Sequence, residues 1–246
     1  MQKVILGDCL TVLKEFDNET FDLIIADPPY NIGLNYDEYD DNLPYEEYLK
    51  WSSQWIEECY RVLKKNGSIF VAIGDEYVAE INIILKKQNL YFRNWIIWYY
   101  TFGQNQRKKF NRSHTHILYY VKDKNNFTFN GDDVRIPSKR QLIYNDKRAN
   151  PKGKIPDDVW EIPRVCGTFK ERVKGHPCQM PEKLIERIVK VASNEGDYIL
   201  DPFGGTGTTA SVCKKLNRNF VVIEKSKKYY GEIIKRISQT TINAML

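Results

Sequence analysis

The chain has 246 residues, 42% of them hydrophobic, enough to fill one sizeable core in a single domain that carries an insertion. Charged residues make up 28%, no apolar run approaches the roughly 18 residues of a membrane span, and MQKVILGDCL lacks the layout of a secretory signal; a cytoplasmic protein without a membrane partner is expected. The net charge of +5 is uneven: residues 101–175 hold 17 basic against 8 acidic side chains and the remainder 20 against 24, so the middle either meets a polyanion or is an ordinary solvated basic surface.

In chain order, Val4-Ile5-Leu6 ends at Gly7-Asp8, and Phe21 to Ala26 ends at Asp27-Pro28-Pro29-Tyr30. Short β-branched runs stopped by turn residues predict buried, parallel strands, with about two turns of helix over 9–16 between them. A polar, Tyr-rich acidic loop from Asn31 to Leu43 precedes a helix opened by Pro44 and running through Leu63. Gly67 releases a strand over 68–73, and a helix over about 76–87 follows. Trp95 to Tyr100 and Ile117 to Val121 predict an antiparallel closing pair, and the aromatics of 95–102 are read as core. From 123 to 175 no period holds. Pro181 starts a helix to about Ala192. Strand 198–200, the turn Asp201 to Thr208, a helix to Lys215, strand 220–223, Glu224 and a final helix complete an α/β layered sheet.

Five cysteines without a C-x-x-C pair, and only three histidines, argue against a disulfide framework, a zinc site or a His-rich cluster; no metal is expected. Cys9, Cys59, Cys166 and Cys213 are read as packed or incidental.

Two motifs carry chemistry. Asp27-Pro-Pro-Tyr30 sits where a strand's carboxyl end opens into the ligand crevice of an α/β sheet. Paired prolines fix φ and remove two N–H donors, leaving the Asp27 carboxylate and the Pro28 carbonyl as acceptors beside the Tyr30 ring. That set suits an –NH2 group on a flat ring; the plain alternative is a strand-ending turn with one exposed carboxylate. The second motif, Asp201-Pro-Phe-Gly-Gly-Thr-Gly-Thr208, is a tight turn that allows close backbone approach to a ligand at a helix start. Glu224, 23 positions after Asp201, stands where an acid accepts hydrogen bonds from ribose hydroxyls. The turn matches neither a phosphate-binding P-loop nor G-x-G-x-x-G; a dinucleotide dehydrogenase is an awkward alternative, with no base beside a nicotinamide pocket.

Together, D-P-P-Y and D-P-F-G-G-T-G-T, with the tetrapeptide 174 positions ahead of the glycines and the basic stretch between them, resemble the S-adenosylmethionine-dependent amino-DNA methyltransferases of the circularly permuted beta group. The resemblance also takes in Gly7-Asp8, Asn111 to Lys122 and Gly175-His-Pro-Cys-Gln-Met-Pro181. It implies a Rossmann-like, mostly parallel sheet with an antiparallel closing strand. Residues 1–122 would be the catalytic half, 123–175 a target-recognition insertion and 176–246 the cofactor-binding half. The implied catalytic residues are Asp27, Pro28, Pro29 and Tyr30, with Asp27 and the Pro28 carbonyl taking the amine hydrogens of a flipped base and Tyr30 stacking on it. Asp201, Phe203, Gly204, Gly205, Thr206, Gly207 and Thr208 would wrap the methionine part of S-adenosyl-L-methionine, with Asp27 adjoining. Glu224 would hold its ribose, and Asp8 with Cys9 beside it its adenine. His176 either touches the cofactor or only opens the following helix.

The loop 31–43, with Tyr36 and Tyr39, is either a lid over the base or a disordered acidic loop. The basic cluster Arg107, Lys108, Lys109, Arg112, Lys139, Arg140, Lys147 and Arg148, continued by Lys152 and Lys154, is expected to meet double-stranded DNA, mostly at phosphate. Asp at the first tetrapeptide position favours adenine N6 in this family; cytosine N4 is the alternative, and a catalytically idle DNA-binding subunit a further one. A restriction endonuclease partner and a homodimer accompany the family resemblance.

Overall fold

A computed structural model describes residues 2–104, 106–169, 171–173 and 175–243. Chain order is β1 (Gln2–Leu6), α1 (Cys9–Leu13), β2 (Phe21–Ala26), α2 (Tyr45–Val62), β3 (Leu63–Ile73), α3 (Val78–Lys87), β4 (Tyr91–Gln104) and β5 (Arg112–Val121). Then come a 3₁₀ turn (Gly131–Val134), α4 (Lys139–Leu142), β6 (Val159–Glu161), α5 (Glu182–Ala192), β7 (Tyr198–Asp201), α6 (Thr208–Lys215), β8 (Asn219–Glu224) and α7 (Lys227–Asn243). Among the described residues eight strands form one sheet, in the order β1-β8-β7-β2-β3-β5-β4-β6.

Neighbours are parallel from β1 through β3, β5 runs antiparallel to both β3 and β4, and β6 returns parallel to β4. Residues alternate between two cores. Leu23, Ile25, Phe70, Ala72, Phe220 and Val222 point to the face covered by Leu184, Ile188, Val212 and Ile233 of α5–α7. Ile24, Ala26, Ile69, Val71, Val221 and Ile223 point to the face covered by Trp55, Ile56, Ile81 and Leu85 of α2 and α3. Burial on both faces is why these strands are near-continuous apolar runs. Among the described residues no helix is long and apolar enough to cross a membrane.

The strand order reverses between β2 and β7, which pair through Leu23–Ile199 and Ile24–Leu200. The chain moves outward from β2 to β3 on one side and from β7 to β8 on the other, opening a crevice beyond their carboxyl ends. Asp27 and Asp201 stand there side by side.

Two elements differ from expectation. Strand β3 begins at Leu63, ahead of Gly67, and its register against β2 shifts between Phe21 and Leu23. A Cβ on Gly67 would sit 2.5 Å from Leu63 Cδ1, so the glycine lets the bulged strand fold back on itself. The stretch 123–175 is sewn into the core: β6 pairs with β4 at Trp98–Trp160, Trp98 Nε1 donates to the Ile162 carbonyl at 2.7 Å, and Asn130 Nδ2 donates to the Ser193 carbonyl beyond α5.

Candidate active site

The crevice holds a cavity of about 790 Å³. Asp27, Pro29 and Tyr30 of the tetrapeptide line it, while Pro28 lies buried and is not among the lining residues. The tetrapeptide is clamped: Tyr48, fully buried in α2, donates its hydroxyl to the Pro29 carbonyl at 2.8 Å. Tyr30 donates its hydroxyl to Asp27 Oδ1, also at 2.8 Å. Withdrawal from water pushes the Asp27 carboxyl up to about 7; the Tyr30 bond opposes the rise and nearby Asp201 adds to it.

The glycine turn forms the other end. Gly207, at φ +73, caps α6 in a left-handed conformation, where a Cβ would strike Ile233; it too is absent from the cavity lining. Gly204 packs its Cα against β8, where a Cβ would fall 2.5 Å from Val222 Cγ1 and 3.1 Å from the Ile223 carbonyl oxygen. Asp201 Oδ1 accepts from Phe203 N–H at 3.0 Å, and burial raises its carboxyl to about 6. Glu224 accepts Gly205 N–H on Oε2 and Ser226 N–H on Oε1, both at 2.7 Å. Burial raises it to about 7 against those two bonds.

Gly204→Ala should therefore lower stability by about 1–3 kcal/mol, read as a drop in Tm of several degrees. Gly231→Ala, in α7 with open space around its Cα, should be neutral or raise stability by up to about 1 kcal/mol.

Phe203 lines the cavity but is anchored by Trp51 and Trp55, its ring centroid 5.7 and 5.3 Å from theirs. Thr206 and Thr208 are 3.2 Å apart through their hydroxyls, and Arg236 donates to the Thr206 carbonyl, so both threonines brace the turn. Asp8 caps α1 by accepting Leu10 N–H and pairs with Lys225 at 3.3 Å. Burial pushes Cys9 up to about 12, so it is not a thiolate near neutrality; Cys178 is exposed on the cavity wall. His176 lies against Tyr229 and Tyr36, centroids 4.6 and 6.1 Å away, and burial pushes it down to about 4, a neutral ring.

The loop 31–43 is folded. Asp41 accepts the N–H groups of Asn31, Ile32 and Leu34, and Ser226 donates its hydroxyl to Asp37 Oδ2 at 2.6 Å. It crosses to the Glu224 end as well as to the Asp27 end.

Of the expected DNA contacts, Arg107, Lys108 and Lys109 are exposed at the β4–β5 tip, and Lys139 and Lys147 on the insertion. Arg140 and Arg148 both bind Asp146 and hold its carboxyl well below the usual range. Arg112 lines the cavity and is tied to Asp75 at 3.0 Å and to Glu76.

Asp75 also faces His114 and His116, a trio with the spacing of metal ligands. The Trp95 indole N–H, a donor only, meets His116 Nδ1 at 2.9 Å. The neutral ring must then carry its proton on Nε2, which faces Asp75 Oδ1 at 3.0 Å. That tautomer leaves His116 Nε2 no lone pair for a metal, and the trio serves to hold Asp75 against Arg112.

Sequence reasoning missed the Tyr30–Asp27 bond, the Tyr48 clamp, the Asp41 hub and this Asp75 network. It also missed Trp98 and Tyr100 as cavity wall; they are core, as read, and wall as well. Residue type alone carried no signal for the first four.

A recessed carboxylate at the end of one central strand, and an acid-held glycine turn at the end of its neighbour, open into one chamber. The DNA methylase family matches residues 21–236. Among curated relatives, the type II methyltransferase M.HpaI of Haemophilus parainfluenzae is 43% identical over 93% of this chain and 71% of its own length. The DNA adenine methyltransferase YhdJ of Escherichia coli (strain K12) is 38% identical over 95% and 82%. The chain belongs to the DNA methylase family. Two solved structures share its fold: M1.HpyAVI in its SAM complex (TM-score 0.70, 24% identity, 96% of this chain and 99% of that one) and the cytosine-N4-specific PvuII DNA methyltransferase (TM-score 0.74, 18% identity, 98% and 90%).

Proposed function

We propose that the chain methylates the exocyclic N6 amine of adenine in duplex DNA, at a specific site, with S-adenosyl-L-methionine as donor and the target base rotated out of the stack. The observation that carries this is the shared chamber: Asp27 and the Gly205–Glu224 turn open into one cavity from adjacent strands. The residues fit the donor. Glu224, with each oxygen already oriented by one N–H, keeps a lone pair on each for a ribose diol. Asp8 offers a carboxylate for an adenine amine, and the glycines leave space where Cβ atoms would intrude. S-adenosyl-L-methionine supplies, when bound, a methyl group on a positively charged sulfur.

Asp27 accepts one hydrogen of the target amine, and the family resemblance assigns the other to the carbonyl of Pro28, the buried residue beside it. Both bonds favour a pyramidal nitrogen and localise a lone pair otherwise delocalised into the ring. A carboxyl near 7 is also matched to take the proton that the amine gives up. Positioning does the remainder. Adenine is favoured over cytosine by Asp at position 27 and by the adenine enzyme among the relatives. Within this reading residues 1–122 are the catalytic half, 123–175 the target-recognition insertion and 176–246 the cofactor-binding half. A cognate endonuclease partner follows the type II relatives, and a homodimer is the default assembly, checked by sedimentation.

Nucleoside mass spectrometry of DNA from cells expressing the chain tests the reaction. N6-methyladenine is expected; N4-methylcytosine moves the target to the alternative base, and neither product removes the reading. Duplex affinity should also fall steeply with salt, by a log–log slope of about −4 to −5 if five phosphates are neutralised. A flat titration takes the basic stretch out of DNA binding.

A further inference from the structure

The β4–β5 hairpin ends in Phe110, which is 99% exposed; the next most exposed large apolar side chain among the described residues, Leu142, is at 74%. An isolated exposed apolar residue is ordinary; the surroundings of this one are not. Arg107, Lys108 and Lys109 precede it, all exposed. Two residues later Arg112 lines the cavity that holds Asp27, and two residues of extended chain reach about 7 Å. A bare phenyl ring, charges for flanking phosphates and a wall residue of the cavity thus share one short segment.

The described residues beneath the ring are tied together. Gly103 approaches Arg112 so closely that a Cβ would fall on the Arg112 carbonyl oxygen. Gln106 N–H donates to Asn111 Oδ1 at 2.9 Å across the loop, and Arg112 is held by Asp75 and Glu76. The ring stands out from the body without covering any part of it.

We propose that Phe110 is a wedge that enters the base stack of duplex DNA at the step from which the target base is withdrawn. The inference rests on the DNA-methylating reading above. Extruding a base leaves a gap and forfeits its stacking. An apolar side chain inserted there covers the neighbouring bases and recovers part of that loss, while the adjacent cations hold the phosphates on either side.

The test uses the full chain and two duplexes carrying its own methylation site, identified from the DNA it modifies: one with adenine at the target position to measure turnover, and one with 2-aminopurine there to report extrusion by fluorescence. Phe110→Ala should cut the fluorescence gain, and kcat/KM on the matched duplex, by about tenfold to a hundredfold. Cofactor affinity and Tm should not change, and neither should the salt slope of DNA binding, because no charge is lost. Phe110→Trp should restore both signals. A duplex with an abasic site opposite the target, where extrusion costs less, should bring Phe110→Ala back towards wild type. The wedge is overturned if Phe110→Ala extrudes and methylates the matched duplex like wild type. Equal loss on matched and abasic duplexes also overturns it, as does a change from dimer to monomer with extrusion intact. A wild-type chain that makes no methylated base removes the methylation reading, and the wedge with it; an active wild type with an indifferent Phe110→Ala removes the wedge alone.

Discussion

Asp27→Asn should lower single-turnover methyl transfer by about 10²–10⁴-fold while leaving S-adenosylmethionine affinity within a few fold. The substitution keeps the side chain's shape and an oxygen for the Tyr30 hydroxyl, which donates at 2.8 Å. It removes the negative charge that draws the amine hydrogen, and it can place an NH2 group against the incoming NH2. Glu224, not Asp27, is the acid bonded to Gly205, so the loss falls on turnover rather than on donor binding. Rapid-quench transfer assays beside calorimetric titration of the cofactor separate the two. Full activity in Asp27→Asn would remove the carboxylate from the chemistry.

The same residue sets a pH dependence with a definite sign. Its carboxyl is raised to about 7 and must be ionised to accept the amine hydrogen. At saturating cofactor, kcat/KM for DNA should therefore rise with pH, with a midpoint near 7. The Tyr30 hydroxyl bonds the ionised form and holds the value down, so Tyr30→Phe should move the midpoint upward. A midpoint that stays fixed or falls in Tyr30→Phe would show that another group is titrating.

How far this site was legible differs residue by residue. The tetrapeptide and the glycine turn declared themselves because Pro-Pro and Gly-Gly-x-Gly each end an apolar run and admit few backbone conformations. Their juxtaposition did not: 174 positions separate Asp27 from Asp201, only the family resemblance assigned them to one site, and the pairing of β2 with β7 emerged from the structure. Tyr30 was read as a stacking ring, since residue type does not reveal whether a tyrosine uses its face or its hydroxyl. Tyr48 lies inside the helix expected from Pro44 through Leu63, where nothing in its residue type shows that its hydroxyl clamps Pro29. Strand β6, three residues long, is too short to leave a period, so its place on the sheet edge was invisible. Charge counting marked the basic stretch but could not pair Arg140 and Arg148 with Asp146 or Arg112 with Asp75.

Glu224→Gln should give the opposite split from Asp27→Asn: cofactor affinity down by about tenfold to a hundredfold, with kcat at saturating cofactor much less affected. Both carboxylate oxygens accept backbone N–H groups at 2.7 Å, Oε2 from Gly205 and Oε1 from Ser226. A glutamine has one acceptor oxygen, so whichever way its amide turns, an NH2 faces an N–H donor. One recessed donor is left unsatisfied, at about 1–3 kcal/mol, and the turn at Gly205 (φ +51) loses its tether. The isosteric exchange is therefore not conservative here, and it should lower Tm as well. If the tether is what matters, Ser226→Ala, which keeps the backbone N–H on Oε1 but removes the hydroxyl that binds Asp37, should weaken the cofactor far less than Glu224→Gln. Equal losses in the two variants would transfer the effect from the Glu224 carboxylate to the closure of the 31–43 loop.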